Sequence, residues 1–183
     1  MDKLNFFRVK SEYVAYLREA EEKKRGFSRV PNVEYGSDRK QKFLCGVVLC
    51  VGETEYYVPV SSFKQQKPDN FLICADNGHV VGSLRFNYMF PVPKNVIEIR
   101  QISIEPDVAY KALLAQELRY CIKNQENIRH LAERTYRRVM LGKNPGLMAN
   151  SCDFILLEEK CSEWISKTGE TAPIANDTTR AWE

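Results

Sequence analysis

Long apolar runs are missing from this sequence of 183 residues. No stretch approaches the roughly 20 apolar residues that a membrane-spanning helix needs. The first ten residues, MDKLNFFRVK, also lack the charged, apolar and small-residue order of a signal peptide. We therefore expect a cytoplasmic protein with no membrane partner. Nine glycines and eight prolines are too few for a disordered or collagen-like chain, so a globular domain is the expected class.

Histidines and the common site motifs are scarce as well. The chain has two histidines, His79 and His130, no CxxC pair, and no P-loop, GxGxxG, HExxH or GxSxG motif. His79 follows an Asn-Gly turn and His130 lies in a helical segment, so we expect both at the surface. We predict neither a cofactor nor a metal site, because no closed set of zinc-ligand spacings is present.

The six cysteines lie mostly inside apolar runs, at positions 45, 50, 74, 121, 152 and 161. Their even number leaves a disulfide framework open. Such frameworks are typical of short secreted chains, which this sequence does not resemble. We therefore expect reduced, buried thiols.

The net charge is only +3, but the charges are unevenly distributed. Residues 1–67 carry 13 Lys and Arg against 9 Asp and Glu, residues 110–145 carry 8 against 3, and the last 34 residues carry 3 against 7. Two basic blocks in one small domain indicate a surface that attracts polyanions, because clustered cations bind phosphates and release their counterions. Solvated helix faces are the alternative explanation.

The first part of the chain predicts strands and tight turns. LNFFRV reads as a strand, followed by a helix with Ser11 as its N-cap and an irregular loop from Gly26 to Gln41. FLCGVVLCV and TEYYVPVS flank Gly52 and Glu53, while NFLICA and HVVGSL flank Asp-Asn-Gly, which are hairpin signals. LRFNYMF and VIEIRQISI add further strand-like runs, so we expect a mostly antiparallel sheet of about six strands.

Helical periodicity takes over after Pro106. Residues 108–122 and 128–139 each have an apolar stripe, and SCDFILLEEKCSEWISK predicts a last helix with Asp153 as N-cap. Glu158 and Glu159 in that helix are paired carboxylates that could carry chemistry, but we expect them on a solvated face or as cap partners. The fold class is therefore α+β, with one domain over residues 1–168, a helical C-terminal half and a flexible tail over residues 169–183.

Candidate chemistry lies where the strand TEYYVPV should end. Ser62 and Lys64 are two residues apart and would point to the same side of an extended chain, next to Ser61. Lys42 precedes the partner strand. Because residue 42 is nine positions before Val51 and residue 63 is nine after Thr54, antiparallel pairing brings Lys42 near the far end of the second strand, within reach of Ser62 and Lys64.

Three interpretations of this cluster remain open on the residues alone. Ammonium and hydroxyl groups at the mouth of a hairpin could bind a phosphodiester without a metal. Ser62 could instead be a nucleophile with Lys64 as its base, as in a serine hydrolase or acyltransferase. In the third interpretation the cluster has no chemical role: the serines only form a turn, and the lysines are ordinary surface residues.

Several segments together resemble one known family, the ToxN/AbiQ toxins of type III toxin–antitoxin systems. The likeness runs from about residue 4 to residue 164, and no single segment is decisive. The segments that carry it are FFRVKSEYVAYL, RVPN at 29–32, KFLCGVVL at 42–49, YYVPVSSFK at 56–64, the DNG turn and CDFILLEEK at 152–160. The resemblance implies a compact, strongly twisted antiparallel sheet flanked by helices, similar to the MazF/Kid toxins.

The resemblance also implies metal-independent, sequence-selective endoribonuclease activity with no cofactor. Lys42 matches the family's active-site lysine, and Ser61, Ser62 and Lys64 match its Thr/Ser, Ser, x, Lys element. Tyr35 matches an active-site tyrosine, although the loop around it differs in length. In the implied mechanism the 2′-hydroxyl of the RNA attacks the adjacent phosphate and leaves 2′,3′-cyclic phosphate and 5′-hydroxyl ends, with either lysine as the base.

The implied partners are cellular or phage RNA substrates and a repeated, structured antitoxin RNA, with which the toxin would oligomerise. The function implied is therefore that of a phage abortive-infection toxin. A non-catalytic RNA-binding or antiphage sensor module of the same fold is the alternative. The basic residues expected to contact RNA are Arg39, Lys40, Arg134, Arg137 and Arg138.

Overall fold

A computed structural model describes residues 2–33 and 42–169. The predicted flexible tail beyond Gly169 lies outside the described residues, as does the segment 34–41. Within the described ranges, no helix is long and apolar enough to cross a membrane.

The sheet is antiparallel throughout and has seven strands in the described part of the chain. Its order is β4-β5-β3-β2-β1-β7, and β6 pairs with β3 beside this path. The bounds are β1 Asn5–Val9, β2 Leu44–Val51, β3 Thr54–Ser61, β4 Asn70–Cys74, β5 Val80–Arg85, β6 Phe90–Pro91 and β7 Ile97–Ile99. The predicted antiparallel sheet is confirmed. It has one strand more than expected, because it includes the two-residue β6.

Both predicted hairpins are present. β2 and β3 are joined through Gly52 and Glu53, and Gly52 has the positive φ of 59° that such a turn requires. β4 and β5 are joined through residues 75–79, where the amide of Gly78 donates to the carbonyl of Ala75. The turn chemistry therefore fixes which strands are neighbours.

The predicted strand LRFNYMF is wrong over its middle. Phe86–Tyr88 form a 3-10 turn, closed by a hydrogen bond from the amide of Met89 to the carbonyl of Phe86. The side-chain amide of Asn87 donates to the carbonyl of Asn150, and the backbone carbonyl of Asn87 accepts from the amide of Cys152. These bonds hold the turn against the C-terminal half, which a single-segment pattern does not reveal.

In the described part of the chain, five helices flank the sheet: α1 Ser11–Arg25, α2 Val108–Lys123, α3 Gln125–Met140, α4 Pro145–Ala149 and α5 Phe154–Thr168. The predicted N-cap Asp153 is confirmed, because its carboxylate accepts from the amide of Leu156. Ser11 is wrong as an N-cap: Lys10 occupies that position and makes no side-chain cap bond. The helical C-terminal half is confirmed.

The core lies between the sheet and these helices. α2 packs on β4 and β1, α3 packs on β2 and β4, and α5 packs on α1 and β6. The α3 stripe is buried as predicted, and both histidines are exposed. All six cysteines are free. Cys50 is exposed and Cys74 is half-buried, so the prediction that all thiols are buried is wrong at Cys50.

Candidate active site

The register of the β2–β3 hairpin, extended beyond its last pair, sets Lys42 opposite Ser61. Leu44 pairs with Pro59, and the amide of Val60 donates to the carbonyl of Phe43 at 3.1 Å. One further step along the ladder brings Lys42 beside Ser61. Residues directly opposite in an antiparallel pair have side chains on the same face, so the half-buried Lys42 and Ser61 share one face.

Counting outward from the turn would pair Lys42 with residue 63, two positions beyond Ser61, because such a count misses an irregularity in β2. Between the pairs Cys45–Val58 and Leu49–Tyr56, β2 advances four residues while β3 advances two. A bulge of this kind inserts residues into one strand and shifts all later pairings. Counting outward from the turn cannot detect it.

Ser61 shapes the turn that follows β3. Its Oγ accepts a hydrogen bond from the amide of Phe63 at 3.2 Å. On the other side, Ser83 of β5 pairs with Ser61, is fully buried and donates from its Oγ to the carbonyl of Phe63 at 2.6 Å. Residue 63 is therefore held at both its amide and its carbonyl, which fixes the chain between Ser62 and Lys64.

Ser62 and Lys64 are both exposed, and Phe63 between them is half-buried. That Ser62 and Lys64 point to the same side stays a prediction. Lys64 makes no salt bridge with a carboxylate of residues 2–33 or 42–169. The structure therefore brings Lys42, Ser61, Ser62 and Lys64 to one end of the sheet, as the sequence predicts.

Arg85, at the end of β5, belongs to the same region and was not predicted. Its guanidinium lies 4.9 Å from the ring centroid of Phe63 and 4.3 Å from that of Tyr88, and it donates to the Tyr88 hydroxyl at 3.2 Å. In the sequence Arg85 lies inside the run LRFNYMF, which predicts one continuous strand. The pattern therefore does not reveal the turn that brings the ring of Tyr88 over Arg85.

Two buried charged residues lie behind this end of the sheet. Arg100 sits over the ring of Phe43 at 4.8 Å and donates to Glu105. Glu117 of α2 faces Gly82 of β5, where an added methyl group would lie 2.8 Å from the Ser61 carbonyl and 3.5 Å from the Glu117 carboxylate. Burial raises the pKa of Glu117 to about 7, although the charge of Arg100 acts in the opposite direction.

The loop before the segment 34–41 is anchored by the buried carboxylate of Glu21. It accepts from the Ser28 hydroxyl at 2.8 Å and from the amides of Arg29 at 2.6 Å and Val30 at 3.2 Å. The segment itself contains three predicted site residues. Tyr35, Arg39 and Lys40 lie outside the described residues.

The three predicted RNA-binding arginines of α3 have different surroundings. Arg134 is exposed and donates to the carbonyl of Pro68 at 2.8 Å, whereas Arg137 is paired with Glu133 at 2.6 Å. Arg138 is half-buried and has no salt bridge in the described part of the chain.

No group of three or more His, Cys, Asp and Glu side chains in residues 2–33 and 42–169 is arranged to hold a metal ion.

Comparison with known proteins gives consistent matches over nearly the full length. The chain is 28% identical over 178 residues to the endoribonuclease AbiQ of Lactococcus lactis subsp. lactis, covering 90% of this chain and 91% of AbiQ. It is 29% identical over 177 residues to the endoribonuclease ToxN of Bacillus thuringiensis subsp. kurstaki, covering 89% of this chain and 85% of that protein.

Solved structures share the fold. One, from work on bacterial type III toxin–antitoxin systems in which a non-coding RNA pseudoknot selectively inhibits the toxin, superposes with a TM-score of 0.78 at 25% identity. It covers 89% of this chain and 98% of its own. The family model for the toxin ToxN of type III toxin–antitoxin systems matches residues 5–162, and the chain therefore belongs to the ToxN toxin family.

Proposed function

We propose that the chain is the endoribonuclease toxin of a type III toxin–antitoxin system, acting in the cytoplasm as a phage abortive-infection protein and cutting RNA without a metal. Family membership and the endoribonuclease relatives support the activity. The observation that carries the site assignment is the register that sets Lys42 beside Ser61, with Ser62 and Lys64 exposed directly after it.

The reaction proposed is an internal transesterification. The 2′-hydroxyl oxygen of the RNA forms a bond to the adjacent phosphorus, and the bond from phosphorus to the 5′ oxygen of the next nucleotide breaks. The 2′-hydroxyl proton passes to the amine of Lys42 or Lys64, and the departing 5′ oxygen receives a proton, for which Tyr35 is the proposed donor. The products are a 2′,3′-cyclic phosphate and a 5′-hydroxyl.

The side chains divide the work by their surroundings. The lysine that stays protonated offsets the charge that builds on the phosphorane, because a positioned cation stabilises the transition state more than the ground state. Ser62 is exposed and orients the phosphate through its hydroxyl. Ser61 is a positioning residue, since its Oγ is bonded to the amide of Phe63.

An end-mapping experiment tests this scheme. Purified wild-type protein and the Ser62→Ala variant are each incubated with an adenine-rich RNA in excess EDTA. Ser166→Ala is the matched control, because the hydroxyl of Ser166 donates to the carbonyl of Ser162 within α5. Cyclic phosphate ends from the wild type and Ser166→Ala alone are expected. If Ser62→Ala cuts at the wild-type rate, the serine has no role in cleavage. Tight binding without cleavage would support the RNA-binding module, and covalent labelling of Ser62 by a fluorophosphonate would support the serine hydrolase.

The proposed inhibitor is a repeated, folded antitoxin RNA that covers the active site and assembles with the toxin. The related toxin of the superposed structure is inhibited by an RNA pseudoknot. Neutralising Arg134, Arg137 and Arg138 together should weaken antitoxin binding and reduce its salt dependence. Each phosphate contact releases counterions from the RNA, so fewer contacts mean that fewer counterions are released on binding. Unchanged affinity at every salt concentration would rule out this face.

A further inference from the structure

A cleft opens between β4, the chain that follows Lys64, and helices α2 and α3. Its volume is about 660 Å³. We call it the β4–α3 cleft. The lining residues that the argument uses are Lys67, Phe71, Tyr120, Asn127, Leu131 and Arg134.

The lining of the cleft begins three residues after Lys64, and hydrogen bonds hold it in place. Lys67 follows Lys64 by three residues, so their Cα atoms are at most about 10 Å apart. The buried side chain of Asn70 accepts from the amide of Lys67 at 2.9 Å and donates to the carbonyl of Gln65 at 2.9 Å. Arg134 donates to the carbonyl of Pro68 and ties α3 to the same loop. The walls are therefore set before any ligand arrives.

One wall of the cleft is aromatic. The half-buried Tyr120 lines it and packs against Phe71, with ring centroids 5.9 Å apart. Phe71 is 9% exposed and lines the same wall. Asn127 is exposed at the edge and offers an amide that can both donate and accept. A flat ring beside such an amide suits an unstacked nucleobase, which is recognised by stacking and by hydrogen bonds to its edge.

The charge of the cleft is cationic. None of its lining residues is acidic. Neither Lys67 nor Arg134 forms a salt bridge within the described ranges, whereas Arg119, one residue before Tyr120, is paired with Asp76. Cations without a carboxylate partner retain their attraction for phosphates. The occupant that fits is therefore both anionic and aromatic.

We propose that the β4–α3 cleft binds one unstacked nucleotide of the RNA, a few nucleotides from the scissile phosphate. The base stacks on Tyr120 with its edge toward Asn127, and the phosphates contact Lys67 and Arg134. This subsite deepens the proposed function and rests on it, because it supplies sequence selection beside the residues that cut.

Binding of an uncleavable RNA tests the subsite without requiring catalysis. An adenine-rich oligonucleotide carries a 2′-deoxy sugar at the cleavage position, and 2-aminopurine is moved one position at a time along it. We expect quenching at one position near the cleavage site. Tyr120→Phe should keep the quenching, whereas Tyr120→Leu should remove it and weaken binding about tenfold, since stacking on an aromatic side chain contributes about that much per base.

Two further variants test the base contact and the phosphate contact separately, at exposed residues whose substitution should leave the fold intact. Asn127→Ala changes an exposed residue and should weaken selection at the quenched position, and Arg134→Gln should lower the salt slope of binding by about one. Arg119→Gln is the matched control and should bind as the wild type does. Absence of a quenched position, or wild-type binding by both Tyr120→Leu and Asn127→Ala, would overturn the proposal.

Failure of the subsite and failure of the proposed catalytic function give different results. If the wild type quenches 2-aminopurine but cuts no RNA, the subsite stands and the catalytic assignment fails. If the wild type cuts RNA but Tyr120→Leu loses no more kcat/KM on a long RNA than on a dinucleotide, catalysis stands and the subsite fails. The expected result is a loss about tenfold larger on the long RNA.

Discussion

The ring of Tyr57 fills the space in front of Gly46, so that a methyl group added at Gly46 would overlap the ring. Gly46 lies within the irregular part of β2 that sets the pairing of Lys42 with Ser61. Gly46→Ala should therefore destabilise the protein by about 1–3 kcal/mol, the usual cost of overpacking a core, and should lower RNA cleavage as well. Urea unfolding and a cleavage assay measure the two effects.

Gly146→Ala is the control for this substitution. Its added methyl group would meet Asn144 at an ordinary contact distance of 3.5 Å, and Ala suits the short helix α4 better than Gly does. Wild-type stability or slightly more is expected there. Equal stability of Gly46→Ala and the wild type would show that Tyr57 can move aside without cost.

The buried carboxylate of Glu21 joins three parts of the chain. Besides the loop at Ser28–Val30, it accepts from Arg25 of α1 and from the amide of Asp153 before α5. Both oxygens are surrounded by donors, so the NH2 group of a glutamine would face a donor in either orientation. Glu21→Gln should cost about 3 kcal/mol in the free energy of unfolding.

Glu22→Gln is the comparison, because the side chain of Glu22 is 52% exposed and pairs with Arg18 at 3.6 Å. It should change stability by less than about 0.5 kcal/mol in the same urea titration. The interpretation of Glu21 as an anchor would fail if the two variants unfolded at the same denaturant concentration.

The strands, their hairpins and the helical second half could be predicted from the sequence because their signals are local. Gly52, the Asp-Asn-Gly turn and the Asp153 N-cap each act within a few residues. Lys42, Ser62 and Lys64 could be brought to one end of the sheet by the same local reasoning, combined with the family resemblance.

The remaining features depend on contacts between distant segments. The bulge in β2 accommodates Tyr57 of the neighbouring strand, and Arg85 is positioned by a turn that is anchored on residues 150 and 152. Glu158 was expected on a solvated face together with Glu159, yet it accepts hydrogen bonds from two tyrosine hydroxyls. No periodicity within one helix identifies such partners.

Glu158 can be tested against its neighbour in the same helix. Its Oε1 accepts from Tyr56 at 2.7 Å and from Tyr136 at 2.8 Å, and burial together with Glu158 raises the pKa of Tyr136 to about 12. Glu158→Ala leaves both hydroxyls without this acceptor and should cost about 2–4 kcal/mol. Glu159→Ala, at an exposed position, should stay near the wild type, and equal losses in the two variants would contradict this role.

Glu117 should make stability depend on pH. Burial raises its pKa from 4.5 to about 7 in the folded protein, so between these values the folded state holds a proton that the unfolded chain has released. The free energy of unfolding must then fall as pH rises through this window, by up to about 3 kcal/mol for this one group. Well below pH 4.5 Glu117 is protonated in both states and causes no loss of unfolding free energy. Well above pH 7 it is ionised in both states and the full loss is reached.

Glu117→Gln removes this dependence because the amide stays neutral at every pH. The difference in unfolding free energy between variant and wild type cancels the other titrating groups, which both proteins share. It should be close to zero at pH 4 and should favour the variant by about 1 kcal/mol at pH 5 and by about 3 kcal/mol at pH 8. Glu126→Gln, at an exposed position of α3, should show no such trend. A difference that stays constant from pH 5 to pH 8 would mean that Glu117 is charged throughout, with Arg100 compensating for its burial.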